Sequence, residues 1–302
     1  MRRNMPEQRE IIKKIKRVRI KTQRLVDTLL AGEYASAFQG HGLEFSEVRQ
    51  YTEGDDVRLI DWNVSARMNA PYVKEYIEER ELKINLLVDI SASNEFGTEG
   101  SLKRDLLVEF GATIAWLGIS RNDKVGITLI SDHVEKSIPP KKGKRQLARI
   151  IELLLYQQPT GKGSLLESGI AYLGKIAKTR GIVFIISDFI TDEDISRPLK
   201  VLSLKHDVVL VRISDRWERE LPRVGLIEIE DPETGDILLL DTNDPVVRKE
   251  YARLRGNLDN KLTRARNQAG IELIELSTGQ DFLHPLLSFL KRKRTKRRIR
   301  TG

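Results

Sequence analysis

The chain has 302 residues, 52 Lys plus Arg against 44 Asp plus Glu, 40% hydrophobic residues and no Cys. That is one ordinary domain with a smaller attached piece and enough apolar material for a full core, so wholesale disorder is excluded. Without Cys there are no disulfides, thiolate nucleophiles or Cys-ligated metal sites, and a reducing, cytoplasmic address is expected.

The net charge of +8 is unevenly placed. Residues 1–24 hold ten Lys/Arg and two acids, residues 291–302 hold eight Lys/Arg and no acid, and the body between them carries −8. Stretches such as Ile84 to Val88 and Gly181 to Ile186 fall far short of the roughly 18 apolar residues of a membrane-spanning helix. The charged start, Met1-Arg2-Arg3-Asn4-Met5-Pro6-Glu7, has no apolar run behind it, so no signal peptide is expected.

In chain order, Ile11, Ile15, Val18, Thr22, Leu25 and Leu29 recur at steps of four and three. Residues 1–31 therefore read as a basic amphipathic helix, docked on its own protein or serving a membrane surface or partner. Residues 32–81, punctuated by Gly32, Gly40, Gly42 and Gly54, read as irregular structure with short strands that needs a larger body to lean on.

From 82 to 290 strands alternate with helices. Strands are expected at Ile84 to Val88, Lys124 to Ile130, Ile182 to Ile186, Val208 to Ile213 and Ile271 to Glu275. Helices are expected at Leu102 to Ile119, 144–156, 165–178 and 192–205, over Val247 to Ala265, and last through Leu290. Ser131-Asp132-His133 is too short for a parallel crossover, so Val134 to Ile138 is an antiparallel partner of the strand before it. Leu226 to Ile229 and Ile237 to Leu240 read as a hairpin. The fold class is α/β, a doubly wound, mostly parallel sheet with helices on both faces, plus the mixed N-terminal segment and a basic tail at 291–302.

In such sheets ligands sit beyond the carboxyl ends of the strands, where strand order reverses. Asp89-Ile90-Ser91-Ala92-Ser93 follows the first sheet strand, and Ser187-Asp188 follows the strand from Ile182. In the order 3-2-1-4-5 these strands are neighbours. Gly161-Lys162-Gly163-Ser164 opens the intervening helix and adds a hydroxyl, although Ser164 is most simply an N-cap. Asp89, Ser91, Ser93, Ser164 and Asp188 form an oxygen-only donor set suited to Mg²⁺ or Mn²⁺. If the hydroxyls bind directly and the carboxylates act mainly through water, the cation seeks an acidic residue on a partner. Each element alone is an ordinary turn; the conjunction is what points to a site.

These residues resemble the metal-ion-dependent adhesion site of von Willebrand factor A-type domains, which places a Thr where this chain has Ser164. The upstream segment sharpens the match. Gly40-His41-Gly42-Leu43-Glu44-Phe45, Val48-Arg49-Gln50-Tyr51, Gly54-Asp55-Asp56-Val57-Arg58, Ile60-Asp61-Trp62 and Ala66-Arg67 resemble the signature of domain-of-unknown-function family 58. Its members are bacterial and archaeal proteins usually encoded beside a MoxR-type AAA+ ATPase. The resemblance implies a non-enzymatic protein-binding module, with that ATPase and a client offering a carboxylate as partners. Asp55, Asp56, Arg58, Asp61 and Arg67 are expected to form a buried salt-bridge network, the alternative being a partner surface.

Other motifs are weaker. Gly161-Lys162-Gly163-Ser164 lacks the upstream glycine of a phosphate-binding loop. An aspartyl-phosphate chemistry at Asp89 would be expected to need a second acid where Ser91 stands. Lys291 to Arg300 can bind nucleic acid or an anionic membrane, which makes a scaffold with basic termini the alternative function; no aromatic is interleaved to stack on bases, and a solvated, mobile end is the simpler expectation.

Overall fold

The computed structural model describes Tyr34, Ala37, Phe38 and residues 44–77, 82–98, 102–161, 163–230 and 237–301. The amphipathic helix expected within 1–31 lies outside the described residues. The chain divides into two compact units, Phe38–Leu82 and the remainder.

In the smaller unit β1 (Glu44–Gln50) pairs antiparallel with β2 (Tyr72–Ile77), and helix α1 (Trp62–Met68) lies between them in sequence. The signature acids work locally. Asp61 caps α1 by accepting from the Asn63 and Val64 amides at 3.0 and 3.2 Å. Asp55 takes a bidentate grip from Arg49 at 2.7 and 2.8 Å, and Asp56 binds Arg58 at 3.0 Å. The expected buried network is thereby overturned. Arg58 is 86% exposed and Asp56 42%, Arg67 lies at the surface, and the Asp55 and Asp56 pairs close within six residues of chain.

The larger unit holds β3 (Lys83–Asp89), α2 (Lys103–Ser120), β4 (Lys124–Ile130), β5 (Val134–Lys141), α3 (Lys144–Tyr156), α4 (Leu166–Ile176) and β6 (Ile182–Ser187). It continues through α5 (Ser196–Lys205), β7 (Asp207–Ser214), the short α6 (Arg216–Arg219), a hairpin of β8 (Leu226–Glu230) with β9 (Ile237–Asp241), and α7 (Pro245–Ala269). Strand β10 (Glu272–Ser277) and α8 (Leu283–Thr301) close it. Helix α5 starts at Ser196 instead of 192, because Asp194 turns the chain by accepting the Ser196 amide.

The sheet order is β5-β4-β3-β6-β7-β10, all parallel except β5. Strand β6 is buried at every residue and β3 from Ile84 onward, as unbroken aliphatic runs require when both faces are covered. One face packs Leu87, Val183 and Ile185 against Leu166, Ile170 and Leu173 of α4, Leu199 and Leu202 of α5, and Leu262 of α7. On the other, α2 approaches so closely that a Cβ on Gly118 would stand 2.4 Å from Ile84 Cδ1. Helix α8 does not stop at Leu290. It is anchored by buried Leu286, Phe289 and Leu290 and runs through the basic segment to Thr301.

Candidate metal centre

Strand order reverses between β3 and β6, and pairing of Val88 with Ile186 brings Asp89 and Ser187 to the same rim. Asp89 is 1% exposed. Its Oδ1 accepts the Ser91 amide at 3.0 Å, and its Oδ2 accepts the hydroxyls of Ser164 at 2.8 Å and Ser187 at 2.9 Å. Ser91 and Ser93 hold their Oγ atoms 3.1 Å apart. Asn94 donates to the Asp89 carbonyl at 3.1 Å, while its own Oδ1 is buried without a hydrogen-bond partner among the described residues.

Four of the five expected site residues, Asp89, Ser91, Ser93 and Ser164, thus form one hydrogen-bonded cluster. Ser164 is no N-cap: that position falls on Leu165, and the Ser164 hydroxyl is spent on Asp89. The fifth residue, Asp188, is buried with both oxygens engaged. Oδ1 accepts the Ile190 amide at 3.0 Å, and Oδ2 takes the Lys103 ammonium at 2.8 Å.

Burial, and then repulsion from Asp188, push the Asp89 carboxyl up to about 6, against the pull of Ser91 and Ser164. A cation beside Asp89 would relieve that cost. Ligands at right angles around a hard cation at about 2.1 Å lie about 3.0 Å apart; the 3.1 Å between the Ser91 and Ser93 oxygens and the 2.8 Å between Ser164 and Asp89 match that spacing and are equally the lengths of the hydrogen bonds that join them. The donor set is rich in hydroxyls and poor in charge. Among the described residues no group of three or more His, Cys, Asp or Glu is arranged to hold a metal.

The loop that carries Ser164 is clamped from the start of β5. Glu135 accepts the Ser131 hydroxyl at 2.7 Å, the Thr160 amide at 2.6 Å and the Gly161 amide at 3.2 Å. Burial opposes its charge, but the bonds from Ser131, Thr160 and Gly161 outweigh it and bring the carboxyl down to about 2. On the far side of Asp188, Lys103 also bonds Glu218 at 2.5 Å. Glu218 in turn accepts the amide of Asp215, a buried residue that receives the Thr98 hydroxyl at 2.8 Å. Sequence reasoning missed Ser187, Lys103, Glu135, Asp215 and Glu218; only Ser187, adjacent to an expected ligand, had a local signal.

A six-stranded, mostly parallel sheet of this order, with one antiparallel edge and helices on both faces, is an α/β fold of von Willebrand factor A-like form. The chain belongs to the family described as "Protein of unknown function DUF58", whose profile matches residues 47–260. An uncharacterized protein of Mycobacterium tuberculosis is 32% identical over 271 residues, covering 89% of this chain and 85% of the relative. Among solved structures, an aerotolerance-related membrane protein from Bacteroides fragilis matches with a TM-score of 0.47 and 14% identity, over 71% of this chain and 99% of that one. A von Willebrand factor type A protein from Catenulispora acidiphila matches with a TM-score of 0.39 and 11% identity, over 74% of this chain and 43% of that one.

Proposed function

We propose that this protein is a metal-dependent protein-binding module that works with a MoxR-type AAA+ ATPase in the cytoplasm. A Mg²⁺ or Mn²⁺ ion held by Ser91, Ser93 and Ser164, with Asp89 and Asp188 behind them, presents an open position to a carboxylate of a client that the ATPase remodels, assembles or matures. The observation that carries this reading is the convergence of the Ser91, Ser93 and Ser164 hydroxyls on the Asp89 rim. Neutral ligands leave most of the cation's charge unmatched, so an external anion is the natural completion of its shell. The module acts by binding and turns over no substrate. The partner class follows from the family resemblance of the segment from Gly40 to Arg67. Among the described residues no helix is long and apolar enough to cross a membrane.

The test is affinity for the cognate ATPase or its client, by calorimetry in Mg²⁺ and in EDTA. Both EDTA and Asp89→Ala are expected to weaken binding by at least about tenfold, the loss of one charge-assisted contact. Equal affinity under all three conditions would overturn the metal bridge.

A further inference from the structure

The site contains a cation of its own. The Lys103 side chain is 0% exposed, lies in the first turn of α2, and places its ammonium between Asp188 Oδ2 and Glu218 Oε1. Helix stability does not explain it there, because a positive charge in the first turn opposes the helix dipole. Burial disfavours the charged ammonium, but the attraction of Asp188 and Glu218 outweighs that and raises its pKa. Glu218 is fixed from behind by the Asp215 amide at 3.0 Å in the capping box of α6, so the ammonium is held from two strand ends.

We infer that Lys103 sets the charge of the candidate metal centre, by occupying Asp188 so that a divalent ion there is matched by Asp89 alone and draws its next anion from a partner. This rests on the metal-dependent reading above and deepens it. A chain that kept Asp188 free would offer the ion two carboxylates, bind it more tightly, and leave less demand for an external one. The ammonium exchanges resident metal affinity for responsiveness to an acidic ligand, and it makes Lys103 a positioning residue for Asp188.

The test is Mn²⁺ binding to the full chain, by calorimetry and water-proton relaxation. Lys103→Met alone leaves two buried carboxylates facing each other and is prone to misfold. The main variant is therefore Lys103→Met with Glu218→Gln, which removes one charge of each sign; Glu218→Gln alone is the control. The double variant is expected to bind Mn²⁺ at least about tenfold more tightly than the native chain, the effect of freeing one carboxylate near a divalent ion. The control is expected to bind no more tightly. Equal or weaker binding by a folded double variant, with the native chain still binding, overturns the role of Lys103 and leaves the metal reading standing. Binding by the double variant alone overturns metal use by the native chain and, with it, the role given to Lys103. No binding by either overturns both.

Discussion

Glu135 accepts the Thr160 amide at 2.6 Å, so the start of β5 holds the loop that presents Ser164 to Asp89. Its side chain is 3% exposed and receives hydrogen bonds from Ser131, Thr160 and Gly161. Glu135→Gln turns an amide donor toward those donors and is expected to cost about 1.5–3 kcal/mol, the range for hydrogen bonds to a charged group. Hydrogen exchange at the Thr160 and Gly161 amides should accelerate more than exchange in β3 or β6. Because the folded carboxyl sits at about 2, below its ordinary 4.5, this contribution is complete above pH 4.5 and is lost as pH falls through about 2. An acid titration of loop exchange that shows no change across this window would remove Glu135 from the clamp.

Asp89 has the opposite sign. Its carboxyl is raised to about 6 from 3.8, so the native protein keeps that proton longer than the unfolded chain does. Without metal, its contribution is fully present below pH 3.8 and is lost as pH rises through about 6. Asp89→Asn should therefore stabilise the metal-free protein at neutral pH, by on the order of 1–3 kcal/mol. Mg²⁺ should stabilise the native chain and leave the Asn variant unmoved, since binding to the folded state alone raises stability. Thermal melts at pH 5 and pH 7.5, with Mg²⁺ and with EDTA, check both halves; a variant less stable than the native chain in EDTA at pH 7.5 would contradict the first.

Gly181 stands where β6 leaves the chain beside β3. A Cβ there would lie 2.2 Å from the carbonyl oxygen of Lys83. That obstacle is the backbone of a central strand, which has no rotamer through which to yield. Gly181→Ala is expected to cost about 2–3 kcal/mol, as overpacking in a filled core does. It would also part the strands whose far ends carry Asp89 and Ser187. Urea denaturation measures the loss, and a midpoint within error of the native chain would show that the strands separate freely.

The central sheet was legible because Ile84 to Val88 and Ile182 to Ile186 are aliphatic at nearly every position, and the three residues between β4 and β5 left only an antiparallel solution. The Asp89 rim followed from where those strands end. Lys103 was not legible: it reads as one more charge on a helix, and its partners Asp188 and Glu218 are 85 and 115 residues away. Ser187 was visible beside Asp188 at the end of its strand, but its bond to Asp89 depends on the Val88–Ile186 register across the sheet. Ser164 was expected at the rim, and it is its simpler reading as an N-cap that fails, because its hydroxyl is taken by Asp89, 75 residues distant. The signature acids misled in the other direction. A cluster of Asp and Arg invites a long-range network, yet Asp55 and Asp56 find their arginines within six residues of chain and Asp61 caps the helix that follows it.

The basic C-terminal segment tests the alternative function. The sequence set a boundary at Leu290 because aliphatic residues end there, but Lys and Arg are good helix formers and their charge suits a helix C-terminus, so α8 continues through them. Its anchors come early: Leu286, Phe289 and Leu290 are buried, and Lys293 pairs with Asp207 and lies 5.8 Å from the Phe289 ring centroid. Deleting residues 296–302 spares all of these and is expected to change stability by no more than about 0.5 kcal/mol. Leu286→Ala, by contrast, should cost about 2–5 kcal/mol. On the metal-dependent reading the truncated chain keeps its affinity for the ATPase and its sensitivity to EDTA. A scaffold that grips nucleic acid or anionic lipid through its ends would instead lose binding on truncation, with a reduced salt dependence, and would be indifferent to Asp89→Ala. Running both variants against the ATPase, duplex DNA and phosphatidylserine vesicles separates the two functions, and truncation that abolishes ATPase binding in a folded chain would transfer the contact from the Asp89 rim to the end of α8.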